Sequence, residues 1–186
     1  SYRRATNGAA RDVTAASGLK GLVATDAALV DLDFTGKLDL LAVLPADQGL
    51  RVLRNLGNMY FKDITGTSGV PASAADSAQI RIDDWNNDDL MDVLIARDGQ
   101  SPLYLQKQRG GPLAPTPLPI ATLAGPALAV GELNGDSRAD LVVGGPDHLD
   151  VLLGGIDRIT RLAPALPGLN RVLLTDFDND GWLDLQ

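Results

Sequence analysis

Short apolar stretches of four to eight residues recur along the chain, bounded by Gly, Pro, Asn or Asp. They are rich in Val, Ile and Leu and often alternate with polar residues, which is the pattern of β-strands. No segment keeps a 3.6-residue apolar period for long enough to predict a sizeable helix. Residues 27–65 alone supply four such stretches: A-A-L-V, L-D-L-L-A-V-L, G-L-R-V-L-R-N and M-Y-F-K-D-I-T. The pattern predicts an all-β fold.

One polar turn recurs four times among these strands, at residues 31–40, 84–93, 132–141 and 176–185. The turns start 53, 48 and 44 residues apart. A second motif repeats in phase with them, D-V-T-A-A-S-G-L at 12–19 and D-I-T-G-T-S-G-V at 63–70. Repeats of this length with four short strands each are typical of β-propellers. We therefore predict a single domain over residues 1–186, made of β-propeller blades of four antiparallel strands in about four repeats.

Each end of the sequence matches half a blade. Residues 1–14 align with a third and a fourth strand, and residues 171–186 supply a first and a second strand, with three units between them. Joined, the halves would close a four-bladed ring. Apart, they make the chain a fragment of a larger propeller, which is favoured because the last strand has barely begun at Gln186. Open blade edges would then be covered by further blades or by self-association.

The stretch R-G-G-P-L-A-P-T-P-L-P, at 109–119, interrupts the strand pattern of the second unit. Its prolines cannot donate to a central ladder. We expect an irregular outer edge or a long loop in place of the fourth strand. A linker between domains is disfavoured because the repeat phase continues across it.

Composition excludes several classes of function. The net charge of −8 disfavours a nucleic-acid partner, because phosphate binding needs a basic surface. The chain has no cysteine, so it forms neither disulfides nor thiolate metal sites. No apolar run approaches the ~18 residues of a membrane span, and the N-terminal residues lack the apolar core of a signal peptide.

The negative charge is concentrated in the four turns. Each turn has oxygen-bearing side chains at positions 1, 3 and 5 and an aspartate at position 9. These residues are Asp31, Asp33, Thr35 and Asp39; Asp84, Asn86, Asp88 and Asp92; Glu132, Asn134, Asp136 and Asp140; and Asp176, Asp178, Asp180 and Asp184. They include 13 of the 24 acids, whereas the rest of the chain has 16 basic residues and 11 acids.

Such crowding indicates a cation. Two carboxylates ~4 Å apart repel by about 4 kcal/mol at an effective dielectric near 20. Hard oxygen ligands without His or Cys select Ca²⁺, and Mg²⁺ is less well served by so many carboxylates. An EF-hand is excluded because strands flank the turns and position 12 is Ala42, Ile95 or Val143 instead of glutamate. The alternative is a metal-free Asx-type turn stabilised by its own backbone.

The turns, the two D-[VI]-T-x-x-S-G segments and V-V-G-G-P at 142–146 resemble FG-GAP/VCBS-type repeats, found in integrin α-subunit propellers and many bacterial secreted proteins. The resemblance implies a calcium loop between the first two strands of each blade. It also implies a backbone carbonyl ligand at position 7, which is Lys37, Leu90, Arg138 or Trp182.

The departures from the family pattern rank the turns. The fourth turn matches best; the first has Thr35 as a poor ligand, and the second has Asp89 where glycine is usual. The third has Glu132 at position 1 and Ser137 in place of glycine, so calcium is expected there last.

The resemblance implies a non-enzymatic, calcium-stabilised module for adhesion or recognition of a protein or carbohydrate ligand. It implies an extracellular, periplasmic or cell-surface location. The alternatives are part of a propeller-fold enzyme acting on polysaccharide and a purely structural repeat. His148, beside Asp147 and Asp150, is interpreted as a bystander and not as a general base. Trp85 and Trp182, inside two of the turns, are expected to pack against a neighbouring blade; the alternative is stacking on a sugar ring or on a partner.

Overall fold

The computed structural model describes residues 2–4, 9–45, 48–72, 79–96, 103–118, 128–144, 148–154, 159–162 and 171–186. These residues form short strands joined by turns. In chain order the strands are β1 (Tyr2–Arg4), β2 (Ala10–Asp12), β3 (Asp26–Val30), β4 (Asp39–Val43), β5 (Leu50–Asn55), β6 (Phe61–Asp63), β7 (Gln79–Asp83), β8 (Asp92–Ala96), β9 (Leu103–Gln106), β10 (Leu113–Thr116), β11 (Leu128–Gly131), β12 (Asp140–Gly144), β13 (Leu149–Leu152), β14 (Ile159–Leu162), β15 (Leu174–Thr175) and β16 (Asp184–Leu185). Two single-turn 3₁₀ helices, Thr14–Ala16 and Thr65–Thr67, follow β2 and β6.

Three four-stranded antiparallel sheets follow one another along the chain. Blade 1 is β3-β4-β5-β6, blade 2 is β7-β8-β9-β10 and blade 3 is β11-β12-β13-β14. The pairs β1-β2 and β15-β16 form two-stranded sheets at the ends of the described chain. Each blade is a meander, so neighbouring strands in sequence are neighbours in space. The prediction of an all-β fold with propeller-like blades of four antiparallel strands is confirmed.

Apolar side chains between successive blades form the core. The first cluster joins blade 1 to blade 2 and includes Val52 and Val93. The second joins blade 2 to blade 3 through Leu94 and Leu141, and the third joins blade 3 to the segment that enters β15. Every residue of β8 and β12 is buried, because these second strands are covered on both faces. The blades therefore stack in series, each one packed on the next.

The fourth strand of blade 2 differs from the sequence prediction. Residues 113–116 form the regular strand β10, and Pro115 lies opposite Tyr104 of β9. The stretch does form the outer edge of the blade, but as a regular strand, so the prediction of an irregular edge or a long loop in place of the fourth strand was wrong. An outer strand needs hydrogen bonds on one side only, so it tolerates a proline. Pro119, the last proline of the stretch, lies outside the described residues.

The D-I-T-G-T-S-G-V motif is the connector that leaves blade 1. Asp63 Oδ1 accepts hydrogen bonds from the backbone N–H of Thr65 at 2.8 Å and from its hydroxyl at 2.6 Å. Ser68 Oγ donates to the carbonyl of Thr65 at 2.9 Å, which closes the turn. The Ser68 carbonyl then accepts a bond from the N–H of Leu113 in β10 at 2.7 Å. The connector thus binds the outer strand of the next blade.

The N-terminal copy of the motif makes the same contacts. Asp12 Oδ1 accepts from the N–H of Thr14 at 2.8 Å, and Ser17 Oγ donates to the carbonyl of Thr14 at 2.9 Å. The Ser17 carbonyl accepts from the N–H of Phe61, in β6 of blade 1, at 2.7 Å. The repeated sequence is therefore a repeated link between an outer strand and the connector before it.

Candidate metal centres

All four polar turns have the same backbone shape. Each joins the first and second strands of its sheet, and positions 4 and 6 have a positive φ in every case. These residues are Phe34 and Gly36, Asn87 and Asp89, Gly135 and Ser137, and Asn179 and Gly181. Glycine adopts this conformation freely, whereas other residues pay roughly 1–2 kcal/mol. The loss of glycine from position 6 in the second and third turns therefore adds strain without changing the turn.

The carboxylate at position 1 organises the backbone of its turn. In the fourth turn Asp176 accepts the N–H groups of Asp180 and Gly181, both at 3.0 Å. The first and second turns repeat this arrangement. Asp31 accepts the N–H groups of Thr35 at 2.9 Å and Gly36 at 2.7 Å. Asp84 accepts those of Asp88 at 3.0 Å and Asp89 at 2.8 Å. These bonds hold the N–H groups of the tight turn.

Glu132 takes the same role in the third turn with different geometry. Its longer side chain accepts from the N–H groups of Asn134 at 2.9 Å, Gly135 at 2.7 Å and Ser137 at 3.4 Å. These backbone donors, that of Asn134 first, lower the pKa of the Glu132 carboxyl. A glutamate at position 1 is thus compatible with the turn.

The aspartate at position 9 joins its turn to the end of the third strand. Asp140 is fully buried and accepts the N–H of Leu133 and the N–H of Gly154, both at 2.6 Å. Asp92 accepts the N–H of Trp85 at 3.0 Å and that of Gln106 at 2.8 Å.

Burial acts on the ionisation of these aspartates. Burial raises the pKa of Asp92 to about 6, although the two backbone N–H donors lower it. The negative charges of Asp88 and Asp84 raise it by a smaller amount. Burial likewise raises the pKa of Asp39, at position 9 of the first turn. A buried carboxylate beside other carboxylates is an environment that a cation relieves.

The fourth turn brings three carboxylates close enough together to share one cation. One carboxylate oxygen from each of Asp176, Asp178 and Asp184 lies within 4.8 Å of the other two. Calcium binds oxygen at 2.3–2.6 Å, so two ligands of one ion can be at most about 5 Å apart. Asp180, predicted as the position 5 ligand, is not in this group; its Oδ1 accepts the N–H of Trp182 at 2.8 Å.

The first three turns bring no equally close group of three carboxylates together within the described residues. In the second turn the side-chain amide of Asn86, at position 3, donates to Asp88 Oδ2 at 2.9 Å. In the third, the amide of Asn134 donates to Asp136 Oδ2 at 3.1 Å. These asparagines replace one carboxylate by a neutral side chain, so the two turns present fewer charges to an ion.

The two tryptophans differ in environment. Trp85 is buried in the apolar cluster between blades 2 and 3, which confirms that it packs against the next blade. Trp182 is 55% exposed, and its ring covers Gly135 of the third turn, where an added Cβ would be 3.0 Å away. Phe177, also in the fourth turn, is 76% exposed. The fourth turn therefore presents two aromatic side chains to solvent.

His148 lies beside an aspartate within blade 3. Its Nε2 lies 3.4 Å from Oδ2 of the buried Asp150. Asp147, and Gly145 and Pro146 of the V-V-G-G-P segment, lie outside the described residues. Among the described residues no helix is long or apolar enough to cross a membrane.

Four-stranded sheets in series, each with the same acidic turn between its first two strands, define a repeat protein of the β-propeller type. The family model described as "FG-GAP-like repeat" matches residues 31–95 and 84–143. The chain belongs to this family, whose repeats are typical of extracellular proteins. Both matches begin at position 1 of a turn and end within the β-strand that follows the next turn, which is β8 or β12. No curated protein matches the chain.

Proposed function

We propose that this protein is a non-enzymatic recognition module that acts outside the cytoplasm and is stabilised by calcium. The observation that carries the proposal is the convergence of Asp176, Asp178 and Asp184 on one volume, in a turn that recurs four times. The side chains of Asp176, Asp178, Asp180 and Asp184 and the carbonyl of Trp182 would hold the ion. Calcium would neutralise the turn, and no other chemistry is assigned to it.

The chain itself supplies the link between ion binding and stability. The residues at positions 1 and 9 already bind backbone N–H groups, and each carboxylate oxygen has a second lone pair for a metal. Asp184, for example, accepts the N–H of Phe177 at 2.9 Å while its oxygen lies close to Asp176 and Asp178. An ion in the turn would fix these carboxylates and, through them, the junction of the first and second strands.

Recognition of a protein or carbohydrate is supported by the exposed aromatic rings on the turns. Trp182 and Phe177 in the fourth turn and Phe34 in the first are 55%, 76% and 38% exposed. Aromatic faces of this kind stack on sugars and anchor protein contacts. Ordered calcium turns would hold such side chains in place at low entropic cost.

The test is a binding screen under two calcium conditions. The whole chain is applied to immobilised polysaccharides and secreted proteins at about 1 mM calcium, in the range of extracellular calcium modules, and again in chelator. The double variant D176N/D178N is compared with D89N, which removes an acid outside the ligand positions. We expect a ligand that binds the wild-type chain in calcium and does not bind D176N/D178N. The bound ligand should be recovered chemically unchanged.

Other outcomes discriminate the alternatives. Release of oligosaccharide from a bound polysaccharide would contradict the non-enzymatic assignment and favour a propeller-fold enzyme. Calcium binding with no ligand in the screen would favour a purely structural repeat.

A further inference from the structure

Within the described part of the chain, the first turn has a basic side chain paired with an expected ligand, and no such pair is found at the other three turns. Arg54, in β5, has its Nε 3.5 Å from Oδ2 of Asp33, the ligand expected at position 3. The two side chains are largely withdrawn from solvent, with exposed fractions of 27% and 20%. An ion pair in this environment is screened less than one on an open surface.

The position of Arg54 is fixed by the blade. It precedes Asn55, whose N–H donates to Asp39 at 2.7 Å and so ties the third strand to the turn. In blade 2 the residue before the equivalent donor, Gln106, is Leu105; in blade 3 the residue before Gly154 is Leu153. Three equivalent positions therefore hold one arginine and two leucines.

Blade 2 also closes over the first turn. The N–H of Gly110, in the β9–β10 loop, donates to the carbonyl of Leu32 at 3.2 Å. An added Cβ on Gly110 would lie only 2.9 Å from the Cβ of Asp33, so this loop is in close contact with the position 3 residue. In the same loop the guanidinium of Arg109 lies 4.3 Å from the centre of the Phe34 ring. A second fixed positive charge is thus placed beside the turn.

We infer that Arg54 is an internal counter-cation for Asp33, which makes the first turn the weakest calcium site of the four. The inference rests on the proposed calcium binding. A guanidinium 3.5 Å from a ligand carboxylate repels an arriving Ca²⁺ and already balances the negative charge that would attract the ion. Ligand identity alone places the first turn ahead of the third; the ion pair reverses that order. The expected effect is calcium binding at least about tenfold weaker than the same turn shows without the arginine.

The experiment is a calorimetric calcium titration of the whole chain and four variants. R54Q removes the charge and keeps hydrogen-bonding capacity; R54K keeps the charge. R51Q is the matched control on the same strand, because Arg51 pairs with Asp63 at 3.7 Å, away from the turn. The double variant R54Q/D33N removes the expected ligand from the unmasked site. Circular dichroism checks that each variant is folded.

The inference predicts that R54Q shows either one additional calcium site or one site that binds calcium at least about tenfold more tightly. The calcium binding of R54K, R51Q and R54Q/D33N should be unchanged from that of the wild type. Unchanged binding in R54Q, or the same gain in R54K or R51Q, would overturn it. If the wild type binds calcium and R54Q gains nothing, the inference alone fails. If the wild type binds none, the proposed function fails, and a site gained in R54Q still supports the role of Arg54.

Discussion

The carbonyl of Ser68, in the connector that leaves blade 1, accepts a 2.7 Å hydrogen bond from the N–H of Leu113 in the outer strand of blade 2. The equivalent bond joins Ser17 to Phe61 at the entry to blade 1. An outer strand has unpaired backbone groups, and this contact satisfies one of them with the preceding repeat. The packing of successive blades therefore depends on a backbone contact that the D-[VI]-T-x-x-S-G motif positions.

Gly69 is the most sensitive residue of this contact. Its φ is +82°, and an added Cβ would collide with the carbonyl oxygen of Leu113. We expect G69A to lower the free energy of unfolding by more than about 2 kcal/mol, since the left-handed conformation and the backbone clash add. The matched control is G66A, where an added Cβ has no neighbour within 4 Å. Denaturant unfolding measures both, and equal effects would refute the role of the contact.

Thr65 links the connector to the sheet behind it. Its Oγ1 accepts the buried N–H of Val52 at 2.9 Å and donates to Asp63. T65V leaves that N–H unpaired, so we expect a loss of about 1–3 kcal/mol in unfolding free energy. In T67V the exposed hydroxyl, which donates to Ile64, is removed from the same 3₁₀ turn. A loss in T67V as large as that in T65V would mean that the buried bond is not the cause.

The strain at position 6 is open to a stabilising substitution. Ser137 has a φ of +64° and is exposed. Its N–H donates to Glu132 through a long hydrogen bond of 3.4 Å. We expect S137G to raise the free energy of unfolding by up to about 1 kcal/mol, because glycine adopts this φ without strain. As a comparison, glycine at the exposed Thr160 of β14 should destabilise by about 0.5–1 kcal/mol. A destabilised S137G would show that Ser137 makes a contribution beyond its backbone shape.

Asp140 and Asp136 of the third turn are expected to have different roles, the first in holding the backbone and the second in binding metal. Asp140 is buried and accepts two N–H groups, so D140N places an amide donor against one of them. We expect D140N to cost about 1–3 kcal/mol in chelator as well as in calcium. Asp136 is exposed, and D136N should have little effect in chelator and act on the calcium-dependent part of the stability. Thermal unfolding in both conditions distinguishes the two, and a large D136N effect in chelator would contradict the division.

Local patterns in the sequence were sufficient to predict the blades and the acidic turns. The alternation of apolar residues and the repeat period are local, so β3–β6 and the four acidic turns could be read from the chain. The strand β10 was missed because the prolines were expected to prevent regular pairing, whereas an outer strand needs hydrogen bonds on one side only and accommodates Pro115.

Contacts between distant residues could not be read in the same way. The connector motif was recognised as a repeat, but its bond from Ser68 to Leu113 spans two blades. Arg54 likewise follows Asp33 by a whole hairpin, so no spacing rule within the turn would find it. Packing against a neighbouring blade was predicted for both tryptophans; Trp85 is buried between blades 2 and 3, whereas Trp182 is 55% exposed, and the two turns do not differ in a local pattern that would separate them.

The most direct test of calcium stabilisation is thermal unfolding of the whole chain with calcium titrated from chelator to excess, beside an equal series of magnesium. Each occupied site should add ~2.7 kcal/mol when calcium reaches a hundredfold excess over its dissociation constant. We predict a rise in the unfolding temperature that is larger for calcium than for magnesium and is reduced in D176N/D178N. An unfolding temperature that does not change with calcium would contradict the account, and the four turns would then be metal-free Asx-type turns held by their own backbone bonds.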